Sequence, residues 1–100
     1  MSSKTDTDVV EKVKIGIPKD YKVILLNDDS TSFEFVIEVL MLIFNKKMKQ
    51  GHDIAKEVHE KGSCVVAVYP KSIADMKVKE VHVLAAQNFF PLKCISERED

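Results

Sequence analysis

The sequence predicts an α+β domain: a small three-stranded sheet, expected to be antiparallel, packed with three helices in the order β-α-α-β-α-β. Three observations lead there. Short runs rich in β-branched and aliphatic residues, "YKVILL", "SCVVAVY" and residues 92–96, have the length of strands. The stretches between them carry apolar residues three and four apart, the helical period. Finally, 100 residues that are 45% hydrophobic and 31% charged make one globular domain. At this size roughly 60–68% of the unfolded surface is buried, enough to fold without disulfide or metal.

Each element follows from its residues. Residues 1–19 are polar, mixed in charge and close on Gly16-Ile17-Pro18, which reads as a flexible arm ahead of a domain spanning 20–100. "YKVILL" is aliphatic at successive positions, the pattern of a central, covered strand. Thr31-Ser32-Phe33-Glu34 has capping-box spacing, so a helix is expected to start at Thr31 and run to about Phe44. Its stripe is Phe33, Val36, Ile37, Leu40, Ile43 and Phe44, widened by Phe35, Val39, Met41 and Leu42. A more polar helix is expected over 48–60, stopped by Gly62. A second strand covers 63–69. After Pro70, Ser72 to Asp75 repeats the capping pattern more weakly. The third helix sets Ala74, Val78, Val81 and Ala85 inward and Lys77, Lys79 and Glu80 toward water. Pro91 precedes the last strand.

Bulk properties exclude several classes of function. The net charge of −1 supplies no general attraction to nucleic acid or to an anionic membrane. No segment approaches the ~18 apolar residues of a membrane span. The first residues lack an apolar signal core, and Asp6, Asp8 and Glu11 speak against a transit peptide. Cys64 and Cys94 read as reduced, buried thiols, so a reducing cytoplasm is the expected address. His52 and His59 would lie about 10 Å apart along a helix, too far to share one metal ion. The three glycines are scattered and form no phosphate cradle. Neither a cofactor nor a catalytic constellation is expected.

The polar junction Asn27-Asp28-Asp29 admits two readings. Such residues dominate strand-to-helix turns because their side chains satisfy free backbone donors. They could equally face a cation. Local chemistry alone leaves both open, as it does for His59, whose spacing suits a hydrogen-bonded histidine at a helix boundary.

Taken together, "YKVILLNDDSTSFEFVIEVL", "AKEVHEKG" and Pro91-Leu92 resemble, in register, the ClpS adaptors of the Clp AAA+ protease. The resemblance covers about residues 21–95. It implies recognition of N-degrons, proteins whose first residue is Phe, Leu, Tyr or Trp. A free α-amino group is an ammonium with three donors and no acceptor. By resemblance, the Asn27 side chain, the Asp28 carboxylate and a neutral nitrogen of His59 would accept from it. The same resemblance assigns the hydrophobic pocket to Phe33, Val36, Ala55, Val58 and Leu92, with Asp29 and Thr31 at its rim. It implies a monomer that works with the N-domain of a ClpA-type or ClpC-type unfoldase, with Lys77 at that contact and the arm engaged in delivery. Ser72 stands where the family usually has an acidic contact, and Phe33 and Ala55 stand where it commonly has methionine. The order of elements also resembles the C-terminal domain of the ribosomal stalk protein, which binds translation factors and would not need Asn27, Asp28 and His59 to converge.

Overall fold

The computed structural model describes residues 20–99. The arm expected at 1–19 lies outside them. Strand β1 (Asp20–Leu26), helix α1 (Phe33–Leu42), helix α2 (Met48–Lys61), strand β2 (Ser63–Pro70), helix α3 (Lys71–Gln87) and strand β3 (Lys93–Arg98) follow in the expected order. The sheet is antiparallel throughout, with β1 between β2 and β3.

Strand β1 is central, yet helices cover only one of its faces. Val23 and Leu25 are fully buried beneath them, while the alternate residues Lys22, Ile24 and Leu26 are only half-buried. On that open face Ile24 pairs with Val65 and Ile95, which are 47% and 39% exposed. A bulge in β2 makes Val66 an extra residue between the partners of Val23 and Ile24, and Val66 is buried. Cys64 and Cys94 both pair with Leu25, one from each flanking strand. Strands lie about 4.8 Å apart, so two strand spacings separate the cysteines, beyond the ~7 Å limit for a bridge. Both are free thiols, Cys94 buried and Cys64 half-buried.

Helix α3 packs across all three strands through Ala74, Val81 and Ala85, which are buried, with Val78 half-buried beside them. Helix α1 buries Phe35, Val36, Val39 and Leu40. Met41 and Leu42 were expected to widen that stripe; they are exposed instead, because the helix rests on the core through its other side. The helix also ends earlier than expected. Its C-cap is Ile43, after which Asn45 adopts a left-handed φ of 58° and the Lys46 amide donates to the Leu40 carbonyl.

Two caps differ from the sequence reading. Helix α1 is capped by Ser32, whose hydroxyl accepts from the Phe35 amide at 3.1 Å. The Thr31 hydroxyl instead donates to Asp28 Oδ2 at 3.0 Å, within the preceding turn. The one-residue shift puts Glu34 out of capping-box register. Helix α3 begins at Lys71 directly after Pro70, so Ser72 lies inside it. Asp75 pairs with Lys71 at 2.8 Å rather than returning to a cap. Lys77 also departs from expectation. Its ammonium turns inward and donates to the Ile43 carbonyl at 2.8 Å, leaving its side chain 25% exposed.

Candidate functional site

The β1–α1 turn and the C-terminal end of α2 are tied together by backbone. Gly62 caps α2 with a φ of 92°, a conformation that L side chains adopt only under strain. Its amide donates back to the Val58 carbonyl at 2.9 Å, and its own carbonyl accepts from the Asn27 amide at 2.9 Å. The link holds the polar junction beside the last turn of α2, where His59 sits. Sequence reasoning saw Gly62 only as a stop signal; that its carbonyl would hold Asn27 depends on a contact between distant segments.

The junction itself is an Asx turn. Asp28 Oδ2 accepts from the Ser30 amide at 2.9 Å and from the Thr31 hydroxyl at 3.0 Å, and the Asp28 carbonyl accepts from the Thr31 amide at 3.1 Å. These bonds occupy one carboxylate oxygen and leave Oδ1 without a partner among the described residues. Neither the Asn27 side-chain amide nor the His59 imidazole makes a hydrogen bond to the other described residues. Both residues are exposed.

Between these elements lies a pocket of about 210 Å³, lined by Asn27, Asp28, Asp29, Thr31, Phe33, Val36, Ala55, Val58, His59 and Leu92, together with Leu26. Exposure sorts them into two layers. Val36, Ala55, Val58 and Leu92 are buried and form an apolar floor. Asn27, Asp29 and His59 are exposed, and Asp28, Thr31 and Phe33 are half-buried, so polar atoms ring the opening. Drug-sized ligands and cofactors occupy roughly 300–1,000 Å³; this space is scaled to one side chain. Leu26, the last residue of β1, was missed by the sequence reading because nothing in "YKVILL" marks which end of a strand meets a cavity.

The Phe33 ring meets the His52 imidazole edge to face, with centroids 5.2 Å apart and planes at 79°. This contact holds the ring at the pocket wall from the outside. Lys77 lies away from the pocket. Besides its bond to Ile43 it stands 5.8 Å from the Tyr69 ring centroid and 3.9 Å from Glu80. A cation on the last carbonyls of α1 suits the helix dipole. Among the described residues no group of three acidic, histidine or cysteine side chains could hold a metal ion. Within the same range no helix is long and apolar enough to cross a membrane.

Comparison with known proteins decides the family. The family model for the ATP-dependent Clp protease adaptor protein ClpS matches residues 17–95. The chain belongs to the ClpS family. The adapter protein ClpS of Nautilia profundicola is 45% identical over 93% of this chain and 96% of its own length. That of Clostridium acetobutylicum is 48% identical over 93% of this chain and 94% of its own. Among solved structures, Agrobacterium tumefaciens ClpS2 bound to L-phenylalaninamide superposes with a TM-score of 0.81 at 42% identity, covering 83% of this chain and all of that one. Family membership sets aside the stalk-domain alternative and makes the chain an adaptor of the Clp protease rather than an enzyme.

Proposed function

We propose that this adaptor captures the first residue of proteins beginning with Phe, Leu, Tyr or Trp and hands them to the N-domain of a ClpA-type or ClpC-type AAA+ unfoldase. One observation carries the reading: an apolar floor sized for a single side chain, ringed by acceptors that have no partner among the described residues. An ammonium seeks converging acceptors, at least one of them charged. The Asn27 side-chain oxygen, Asp28 Oδ1 and an unprotonated nitrogen of His59 fill that role. The first side chain descends onto Val36, Ala55, Val58 and Leu92, past Phe33, with Asp29 and Thr31 at the rim. The relative solved with L-phenylalaninamide supports this ligand class, since that molecule pairs a free α-amine with a benzyl group.

The magnitudes suit reversible capture. Burying one aromatic side chain contributes roughly 1.5–3 kcal/mol. Charged hydrogen bonds add about 1.5–3 kcal/mol each. Less the cost of ordering, binding near −8 kcal/mol, or about micromolar, follows. The deciding experiment titrates fluorescent peptides that begin with Phe or Leu against N-acetylated and Met-extended controls. Micromolar binding of the free Phe and Leu ends alone supports the reading; equal binding of the controls, or none at all, rejects it.

Phe33 and Ala55 set the specificity of this chain. Ala55 removes volume from the floor while Phe33 adds a rigid ring, so the pocket is reshaped and its preference among Leu, Phe, Tyr and Trp altered. Single methylenes in such a pocket are worth about 1–3 kcal/mol. Ala55→Met therefore changes the order of affinities among the four ligands, by roughly tenfold to two-hundredfold between favoured and disfavoured ones; an unchanged order refutes the assignment.

For delivery we assign two further parts. The polar arm, residues 1–19, engages the unfoldase, and Lys77 lies at the docking surface of the unfoldase N-domain. Removing the arm leaves peptide affinity intact and abolishes degradation of a Phe-ended substrate; degradation at the full rate would remove the arm from the mechanism. A monomer in the cytoplasm, where both thiols stay reduced, completes the picture.

A further inference from the structure

A second, wider groove runs beside the pocket, between α1 and α2. It encloses about 420 Å³ between Ile37, Met41, Leu42 and Met48, with Glu34, Glu38 and His52 along its edges. Leu42 and Met48 are each 66% exposed and Met41 36%, so the apolar wall faces solvent.

The groove continues from the pocket. They share the Phe33–His52 contact, with Phe33 on the pocket side and His52 on the groove side. Along α2, Met48, His52, Ala55 and His59 follow at spacings of four, three and four, which sets them on one helix edge. The acceptors proposed for the amine lie at the Gly62 end of this edge, because Asn27 is held there. A peptide anchored at that end can run along the edge toward Met48. His52 lies about 10 Å from His59 along the axis and Met48 about 16 Å. An extended peptide advances about 3.3 Å per residue, so its fourth and fifth residues reach the groove.

Charge indicates what accompanies the apolar residue. Glu34 and Glu38, one turn apart on α1, form no ion pair among the described residues. Two like charges at this spacing disfavour each other mildly, and a cation laid along them relieves the repulsion.

We propose that the α1–α2 groove is a second subsite, which takes an apolar side chain at the fourth or fifth residue of the captured protein together with a neighbouring Lys or Arg. The proposal rests on the pocket's reading as the site for the first residue. It makes the adaptor read two features of a substrate, the terminal residue and a downstream apolar-basic pair.

The test uses three labelled peptides, all with a free N-terminal Phe: one with Leu-Leu-Lys at positions four to six, one with Ser-Ser-Lys and one with Ser-Ser-Ser. The Leu-Leu-Lys peptide is expected to bind about tenfold more tightly than Ser-Ser-Ser. The doubly substituted Leu42→Ser, Met48→Ser protein, altered only at exposed positions, should lose that gain and keep its affinity for Ser-Ser-Ser. Glu34→Gln with Glu38→Gln should remove the smaller, salt-dependent advantage of the lysine. Equal affinity for all three peptides, or a gain that survives the double substitution, overturns the second subsite and leaves the pocket reading standing. If none of the three binds, the pocket reading falls and takes this inference with it.

Discussion

The pocket side of the molecule and the α3–β3 side treat their polar groups in opposite ways. On the α3–β3 side the histidine is engaged: His82 Nε2 accepts from the Cys94 amide at 3.1 Å, which satisfies a backbone donor on the outer edge of β3. Lys77 donates to the Ile43 carbonyl, and the Asn88 side chain donates to the Leu84 carbonyl at 2.9 Å. On the pocket side, the His59 imidazole, the Asn27 side-chain amide and one oxygen of Asp28 have no partner within the described residues. Residue types are similar on both sides, and so is exposure, since His59 and His82 are both at the surface. The difference lies in whether the fold uses their hydrogen-bonding capacity. Where it does, the side chain stabilises the domain; where it does not, the side chain is available to a ligand.

Substitutions on the two sides should therefore separate binding from stability. The largest effect is expected at His59. Exchanging it for Ala removes an acceptor from the amine and should weaken a Phe-ended peptide by about tenfold to a hundredfold, with the melting temperature within a degree or two of the parent. A large fall in Tm would place His59 among the structural residues and erase the contrast. The mirror image is His82→Ala. It strips the Cys94 amide of its acceptor and should cost about 1–2 kcal/mol, a drop of roughly 4–16 °C in Tm for a domain this small, with peptide affinity unchanged once folding is complete. Loss of affinity without loss of Tm would contradict the division.

The smallest effect is alkaline. Burial pushes the Cys94 thiol up to about 12 from an ordinary value of 9.0. The unfolded chain then releases this proton in mild alkali while the folded chain keeps it. Stability from this group is complete below pH 9 and is lost as pH rises from 9 toward 12. Denaturation midpoints at pH 7 and pH 10 should differ less in Cys94→Ala than in the parent. An equal difference in both proteins would assign the alkaline loss to other groups.

The element order, the central position of β1 and the inward stripe of α3 were legible in the sequence because hydrophobic period and turn residues report them directly. Caps were less legible. The sequence offers Thr31 and Ser32 side by side, and only the folded turn, which brings the Ser32 hydroxyl to the Phe35 amide and the Thr31 hydroxyl to Asp28, decides between them. Lys77 illustrates the same gap, since its spacing on α3 gives no sign that the Ile43 carbonyl lies within reach. The family pattern named ten residues that all line one pocket, whereas composition and periodicity alone left Asn27, Asp28 and His59 ambiguous. Leu26 and the Gly62 carbonyl escaped because their part depends on how two distant segments meet.

The central claim is that Asn27, Asp28 and His59 jointly receive a free amine above an apolar floor. Titrating L-phenylalaninamide into isotope-labelled protein and following amide and side-chain resonances tests it most directly. The account predicts saturable shifts concentrated at Asn27, Asp28, the His59 ring and the methyl groups of Val36, Val58 and Leu92, and none of them with the N-acetylated compound. Shifts centred on α3 or the open sheet face, or an equal response to the acetylated ligand, would contradict it.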